Sequence, residues 1–378
     1  MSTSHSKKTA RLIVADSESS PDMLYATRFF APDAFIFLEK NGRRAIVLND
    51  LEIDRGRRTA RVDEVVAYSE ISAKIPNAKK SAPQFSDVLL QFLKSKKLRA
   101  ALVPSAFPLG LAQHLAKAGI KLTPQPGLFW KEREFKTADE LKSLRRALRI
   151  TETGMARAME VLRAAKIGAK KSLIWAGRSL TSEILRAEID SAILRVGGLP
   201  ANTIVAGGRQ ACDPHERGSG RLRAHSLIII DIFPRDAASG YYGDMTRTVV
   251  RGRASEAQRR LWQTVFDGQK LALAAMRPGA DGKAIHESVK DFFTRSGYPT
   301  EQRDGRWTGF FHGTGHGLGL EIHEEPRFAA TVFKPGQVIT VEPGLYHPHL
   351  GGVRIEDVVT VTKTGVKVLS RFPKTLEI

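Results

Sequence analysis

The chain has 378 residues, of which 42% are hydrophobic and 26% are charged, proportions typical of a globular protein with a sizeable core. No apolar run has transmembrane length, which excludes a membrane-spanning protein. The start lacks the apolar region of a secretory signal, and the single Cys212 rules out an intramolecular disulfide. We therefore expect a cytoplasmic protein without membrane contact, and we assign Cys212 no function.

The formal net charge of +19 also bounds the function. A basic balance of this size is compatible with nucleic-acid binding. However, the short basic runs at residues 55–58 and 95–97 lack the interleaved aromatic side chains of a stacking platform. We favour a basic surface that aids solubility, so nucleic acid is not an expected partner.

The first third of the chain predicts a tail and a small domain. Residues 1–22 are polar and charge-rich, which predicts a disordered tail. From Met23 onward, short β-like runs alternate with helical patterns such as SDVLLQFLKSKK, which indicates an α/β domain over residues 23–130. Two prolines and a glycine in LTPQPGLFWKEREF predict the linker at the end of this domain.

A larger second domain is predicted over residues 131–378. Thr137 and Glu140 have the spacing of a capping box and predict the start of a long amphipathic helix. Ser255 and Gln258 predict the start of another helix in the same way. The order helix, helix, strands, helix, helix, strands predicts two similar α/β halves around a central curved sheet.

Four carboxylates lie in or beside the predicted strands of this domain. Turn residues between Asp231 and Asp244 predict a hairpin that brings these two together. Glu342 lies at the end of the strand pattern in ITVEPG, and Glu356 lies within the strand pattern VRIEDVVTVT. Carboxylates in apolar strand sequence are costly to bury unless something pairs with them. With a histidine of FFHGTGHGLGLEIHEEP, they predict a shell for two divalent metal ions.

The motifs HGTGHGLGLEIHEEP, DIFP…GDMTRT, VEPG and RIED resemble those of the M24 metallopeptidases, the group of aminopeptidase P, prolidase and methionine aminopeptidase. The resemblance covers residues 137–378, with the motifs in the family's order. It implies an α/β (α+β) architecture, with a C-terminal pita-bread (creatinase/aminopeptidase) fold and a smaller N-terminal creatinase-like α/β domain. That N-terminal domain implies aminopeptidase P or prolidase, because simple methionine aminopeptidases lack it.

The resemblance also implies a set of metal ligands. These would be Asp231, Asp244, His316, Glu342 and Glu356, with Asp244 and Glu356 bridging two ions. Bridging carboxylates hold two cations close enough to share one water, whose lowered pKa supplies a hydroxide near neutral pH. Mostly oxygen ligation with one imidazole suits manganese, our first expectation, and also cobalt or zinc.

Further roles follow from the same match. His215 and His323 would be catalytic and contact the substrate, with His323 steadying the scissile carbonyl, and Glu342 would belong to the catalytic set as a ligand. His312 would line the substrate pocket. Arg354 would orient a ligand aspartate, with a plain surface salt bridge as the alternative. One departure is the run from Asp231 to Asp244, which is two residues longer than usual in the family and could shift Asp231 relative to the metal.

The leading expectation is therefore a homodimeric, dinuclear aminopeptidase that hydrolyses the N-terminal Xaa-Pro bond of small peptides. The alternative within the family is an Xaa-Pro dipeptidase (prolidase), which must recognise a free carboxylate close to the scissile bond. We identify no residue for that recognition from the sequence. The alternative of another class is a metal-free pita-bread protein that binds nucleic acid or a charged protein partner, and the presence of all five ligands argues against it.

Overall fold

The structure is a computed structural model that describes residues 9–76 and 82–378. They form two units that divide between Lys131 and Glu132, next to the predicted boundary between residues 130 and 131. Among the described helices, none combines the length and apolar character needed to cross a bilayer.

The described residues of the first unit are built on a six-stranded mixed sheet. Its strands are β1 (Arg11–Ala15), β2 (Phe35–Lys40), β3 (Arg43–Leu48), β4 (Glu64–Ala67), β5 (Ala100–Pro104) and β6 (Lys121–Gln125). Its helices are α1 (Pro21–Thr27), α2 (Ile53–Thr59), α3 (Tyr68–Ser72), α4 (Phe85–Ser95) and α5 (Leu109–Lys117). The strand order is β4-β3-β2-β1-β5-β6, with β1 antiparallel to β2 and parallel to β5. Successive side chains of β1 enter two different apolar cores, Leu12 and Val14 on one face and Ile13 on the other, as strand geometry requires.

The expectation of a disordered tail over residues 1–22 is wrong from Arg11 onward, and its first eight residues lie outside the described part of the chain. β1 occupies the middle of the sheet, and α1 begins at Pro21. Ser20 caps α1 by accepting a hydrogen bond from the Met23 N–H at 3.3 Å. β1 is only five residues long, and the strands that stabilise it lie far away in sequence. Its few apolar residues stand among polar ones, so the local sequence does not predict a strand here.

The second unit has four long helices and many short strands. The helices are α6 (Ala138–Ala164), α7 (Ser182–Arg195), α8 (Glu256–Ala275) and α9 (Gly282–Arg295). The strands of its first half are β7 (Lys166–Ile167), β8 (Leu173–Trp175), β9 (Arg178–Ser179), β10 (Gly198–Leu199), β11 (Ile204–Gly207), β12 (Leu227–Ile232), β13 (Arg235–Asp236) and β14 (Met245–Val250). Those of its second half are β15 (Glu301–Arg303), β16 (Arg306–Thr308), β17 (His316–Gly317), β18 (Glu324–Arg327), β19 (Val338–Val341), β20 (Gly344–His347), β21 (Gly351–Arg354), β22 (Asp357–Val361) and β23 (Val366–Val368). Short 3-10 helices occur at Lys131–Glu134, Ala169–Lys171, Gly208–Cys212 and Phe328–Ala330.

Each half of this unit packs a pair of helices on a sheet. α6 and α7 share an apolar core with the sheet β11-β12-β14, whereas α8 and α9 share one with the sheet β18-β17-β19-β22-β23. Both predicted capping boxes form, at Thr137–Glu140 and at Ser255–Gln258. Each satisfies backbone N–H groups that the first helical turn leaves without partners.

Two details of strand pairing place the predicted ligands. The hairpin between Asp231 and Asp244 forms as predicted, since β12 and β14 are antiparallel and Asp231 lies opposite Thr246. The long connection is accommodated at the tip, where β13 pairs with β10.

The run VRIEDVVTVT is two strands and not the single strand predicted. β21 ends at Arg354 and pairs with β20, while β22 begins at Asp357 and pairs with β19. Glu356 therefore lies at the change of sheet, where its N–H donates to the Thr246 carbonyl at 3.1 Å.

Candidate metal centre

One cleft of the second unit, with a volume of about 710 Å³, contains all the site residues predicted from the sequence. They come from strands, strand ends and loops spread over about 140 positions of the chain. The cleft is lined by the predicted ligands Asp231, Asp244, His316, Glu342 and Glu356 and by His215, His312, His323 and Arg354.

The donor atoms of this cleft lie close together. One donor atom each from Asp244, His316 and Glu356 lies within 4.8 Å of the other two. The Nε2 atom of His316 is 3.7 Å from Asp244 Oδ2 and 3.2 Å from Glu342 Oε1. Carboxylate oxygens with one imidazole nitrogen form a donor set that divalent transition ions favour.

The electrostatics of the carboxylates also fit a cation. Burial, followed by repulsion from Glu356, Asp231 and Glu342, raises the pKa of Asp244 well above its ordinary value. Burial likewise raises the pKa of Asp231 and, strongly, that of Glu356. Moreover, Asp231 Oδ1 and Glu356 Oε1 are buried without a hydrogen-bond partner among the residues that the structure describes. Buried acceptors without donors are costly, and divalent cations would satisfy them.

A chain of polar side chains holds one wall of the cleft. Arg354 is only 3% exposed, so the alternative of a surface salt bridge is excluded. Its Nη2 lies 2.7 Å from Asp231 Oδ2, and its Nη1 donates to the Tyr346 hydroxyl at 3.0 Å. That hydroxyl lies 2.8 Å from the Nε2 of His312. Thr246 Oγ1 accepts from Arg354 Nε at 3.2 Å and donates to Glu356 Oε2 at 2.8 Å.

The glycines around His316 permit close packing of backbone and charge. A Cβ at Gly315 would lie 1.9 Å from the Thr340 carbonyl oxygen, and one at Gly319 would lie 2.3 Å from the Glu324 carboxylate. Both distances are impossible for a side chain, so the glycine-rich run lets the loop fold tightly. The loop places the His323 ring edge-to-face with His316, with ring centroids 4.4 Å apart. Burial, with the nearby His316, lowers the pKa of His323 to about 4, which keeps its imidazole neutral at neutral pH.

A buried ion cluster beneath this loop is not apparent from the sequence. The side chains of Glu324 and Lys136 are 1% exposed and that of Arg133 is 3% exposed. Arg133 Nη2 donates to Glu324 Oε2 at 2.7 Å, and Lys136 donates to the other oxygen. Glu324 Oε2 also accepts from the N–H groups of Leu320 and Glu321. Glu324 thus fixes the loop that leads to His323.

Arg327 is a second cleft residue that sequence reasoning missed. It follows His323 by four positions and lines the same cleft, with its side chain exposed to solvent. No ion pair joins its guanidinium to a described carboxylate, in contrast to that of Arg354. A signal existed in the sequence, since Arg327 is the first cation after HEEP.

Cys212, to which we assigned no function, does not line the cleft. It belongs to a 3-10 helix and contacts a small apolar cluster around Tyr346. Burial raises the pKa of its thiol to about 11, so the reactive thiolate is scarce at neutral pH.

The part of the chain that forms this cleft matches a known protein family. The family model described as metallopeptidase family M24 matches residues 142–363. Among curated proteins, the Xaa-Pro dipeptidase of Pyrococcus furiosus is 35% identical over 254 residues, which are 65% of this chain and 69% of that protein.

Solved structures show the same fold across both units. The prolidase from Pyrococcus horikoshii OT3 matches with a TM-score of 0.78 and 25% identity, over 97% of this chain and 95% of that one. The X-Pro aminopeptidase from Thermotoga maritima MSB8 matches with a TM-score of 0.81 and 21% identity, over 97% of each chain. These matches confirm the predicted mixed α/β pita-bread fold.

Proposed function

Because the chain belongs to metallopeptidase family M24, we propose that it is an Xaa-Pro dipeptidase that hydrolyses dipeptides ending in proline with the help of two divalent metal ions. The observation that supports this most directly is the cleft itself. It gathers five metal donors, two of them with buried unpartnered oxygens, beside the unpaired cation of Arg327.

The metal ions would be held by Asp231, Asp244, His316, Glu342 and Glu356. The family resemblance implies that Asp244 and Glu356 would be the bridging ligands, and a donor atom of each lies within 4.8 Å of the other and of one from His316. When bound, such ions polarise the scissile carbonyl and lower the pKa of a water molecule. Manganese remains our first choice, with cobalt or zinc as alternatives.

The histidines of the cleft would act on the substrate. The neutral ring of His323 can donate a hydrogen bond to the oxygen of the scissile carbonyl, and this bond strengthens as negative charge develops there. His215 lies on an exposed loop of the cleft, where it can contact the substrate amine. His312 is held by the Tyr346 hydroxyl, and Tyr346 and Asp231 are in turn held by Arg354, so this side of the cleft is rigid before substrate binds.

The dipeptidase activity takes the place of the aminopeptidase activity that led our expectations from the sequence. The Pyrococcus furiosus relative is an Xaa-Pro dipeptidase, whereas the Thermotoga maritima aminopeptidase, at 21% identity, shows the fold alone. Arg327 supplies the cation that a dipeptidase needs, since a guanidinium can bind a carboxylate through two parallel hydrogen bonds. The Xaa-Pro bond is a tertiary amide without an N–H, so the site need not accept one.

Three substrates test the proposal. With manganese, we expect hydrolysis of Ala-Pro, slower hydrolysis of Ala-Pro amide because it lacks the carboxylate, and little hydrolysis of Ala-Pro-Ala. Faster release of alanine from Ala-Pro-Ala than from Ala-Pro would show that the protein is an aminopeptidase and overturn the proposal.

The role of Arg327 has its own test. Arg327→Ala should raise KM for Ala-Pro at least tenfold and change KM for Ala-Pro amide little, since hydrogen bonds to a charged group contribute about 1.5–3 kcal/mol. Arg306→Ala, an exposed arginine of β16 outside the cleft, is the matched control and should leave both values unchanged. Equal losses on both substrates would exclude Arg327 as the carboxylate-binding residue.

The metal-free binding protein, our alternative of another class, is tested by metal analysis. Protein purified without chelator should contain transition metal, and activity lost to EDTA should return with manganese or cobalt. Near-zero metal content, without activation by either ion, would overturn the enzymatic proposal and favour the binding protein.

A further inference from the structure

We propose that the second unit has a ligand site outside the metal centre, a groove beside α6 that binds a nucleoside polyphosphate or a closely related polyphosphate. We call it the α6 groove, and its charged residues are Lys142, Arg145 and Arg149 of α6 with Lys367 and Arg371 near β23. It shares no lining residue with the metal-centre cleft, and the inference does not depend on the proposed peptidase activity.

The α6 groove has the size and charge of an anion site. Its volume is about 390 Å³, within the range of small-molecule pockets. Five of its ten lining residues are basic and none is acidic. A concave surface lined by charges of one sign concentrates oppositely charged ligands.

The cations of the groove are arranged by secondary structure. Lys142, Arg145 and Arg149 follow one another at intervals of three and four along α6, so their side chains lie on one face of the helix. Lys367 belongs to β23, and Arg371 follows it in the chain. The site is therefore built from two segments that are more than 200 positions apart in sequence.

Four of these five cations are poorly neutralised by the protein, whereas Lys142 Nζ donates to Asp139 Oδ1 at 3.0 Å. The side chains of Arg149, Lys367 and Arg371 form no hydrogen bond or ion pair with any described residue. The nearest acid to Arg145 is Glu152, whose Oε1 is 3.8 Å from Arg145 Nη1, too far for a hydrogen bond. That same oxygen already accepts from the Arg371 backbone N–H at 2.8 Å. Arg145 Nη1 is consequently buried without a hydrogen-bond partner.

The closeness of these cations to one another changes the pKa of Arg145. Burial, together with the charges of Arg371 and Arg149, lowers the pKa of Arg145 despite the attraction of Glu152. Arginines elsewhere on the same helix differ, since Arg157 lies between the carboxylates of Glu160 and Glu188, which raise its pKa. A bound polyanion would relieve the repulsion in the groove.

The apolar residues that line the floor of the groove indicate which kind of anion binds there. Leu141 and Leu369 line it with Val368, a residue that is 41% exposed. Arginine guanidinium groups bind phosphate through paired hydrogen bonds. An anion with several phosphates on an apolar body matches both surfaces, and a nucleoside triphosphate has this chemistry at the right size.

Calorimetric titration of the full-length protein tests the site with ATP, inorganic tripolyphosphate and a single-stranded oligonucleotide. The variant is Arg149→Gln, Lys367→Gln and Arg371→Gln combined. The control of equal charge is Arg58→Gln, Lys117→Gln and Lys121→Gln combined, three exposed residues of the first unit. Both proteins keep the metal-centre cleft intact, so phosphate binding at that cleft is the same in each, and an unchanged urea unfolding transition would confirm that both are folded.

We expect ATP to bind with one-to-one stoichiometry, at least tenfold more weakly to the groove variant and equally well to the control variant. ATP should also bind more tightly than tripolyphosphate, because the floor is apolar. Equal weakening in both variants would mean a diffuse charge effect and would overturn the proposal, as would no weakening in the groove variant. Tripolyphosphate binding as tightly as ATP would overturn the assignment of a nucleoside, and tighter binding of the oligonucleotide would reassign the groove to nucleic acid.

Discussion

The second unit buries two groups of charged side chains, one around Glu324 and one around Asp244, and they differ in how their charges are neutralised. Around Glu324, each carboxylate oxygen is paired with a cation, Arg133 or Lys136. Around Asp244, acids outnumber cations, and Asp231 Oδ1 and Glu356 Oε1 have no partner. A closed ion cluster leaves no buried charge without a partner, whereas an open one has buried acceptors that a cation from outside the chain would satisfy.

The largest difference between the two groups should appear when acids of the open cluster are neutralised. Asp244→Asn or Glu356→Gln should lower the rate of Ala-Pro hydrolysis by orders of magnitude, because each removes a proposed bridging ligand. The metal content, measured by elemental analysis, should fall in parallel.

The same variants should not lose stability when metal is removed, since they relieve repulsion among buried carboxylates. Urea unfolding in EDTA measures this. Near-wild-type activity in either variant would exclude that residue as a ligand, and a large loss of stability in EDTA would mean that the acid cluster is not open.

The closed cluster should respond in the opposite sense. Glu324→Gln should lower the free energy of unfolding by about 3–5 kcal/mol, because breaking the buried pair leaves the charge of Lys136 without a carboxylate partner. Urea denaturation in EDTA measures the effect without a contribution from metal binding.

Glu325→Gln is the control for this variant, because Glu325 is next to Glu324 in the chain but its side chain is exposed to solvent. It should change stability by less than about 0.5 kcal/mol. If the two variants proved equally stable, the buried ion cluster would have no part in holding the loop before His323.

A residue beside the open cluster should affect catalysis and leave metal binding intact. His323→Ala should lower kcat about 10²–10³-fold, the usual effect of removing one donor to a developing oxyanion, while metal content stays normal. Elemental analysis and steady-state kinetics on Ala-Pro distinguish the two effects. His349→Ala, a histidine outside the cleft, is the control; loss of metal in His323→Ala would identify His323 as a ligand instead.

The smallest effect should come from a neutral residue that supports the open cluster. Thr246→Val removes the hydroxyl bonded to both Glu356 and Arg354, and we expect metal affinity to fall about 10–100-fold. Competition with a coloured chelator measures the affinity. Thr264→Val deletes a hydroxyl that bonds only within α8 and should leave affinity unchanged, and equal losses in the two would show that the hydroxyl of Thr246 has no specific role.

Local patterns predicted much of the fold correctly. The capping boxes at Thr137 and Ser255 depend on residues three positions apart, so the chain itself brings the partners together. The hairpin between Asp231 and Asp244 was likewise predictable from its turn residues. β1 was missed because a five-residue strand between two cores depends on partners far away in sequence, and the break before Glu356 was missed because a change of sheet leaves the alternation of apolar residues intact.

By itself, then, the sequence determined the residue types and order of the metal-centre motifs, because their spacing within each motif is local and readable. Only the tertiary structure decided which charges meet. Glu324 pairs with Arg133, which is 191 positions away in sequence, and Arg354 pairs with Asp231, which is 123 positions away. Arg371, near the end of the chain, lines the same groove as the cations of α6. A charged residue in sequence has no fixed environment, and burial with particular partners determines whether its charge is neutralised, shifted in pKa or left to bind a ligand.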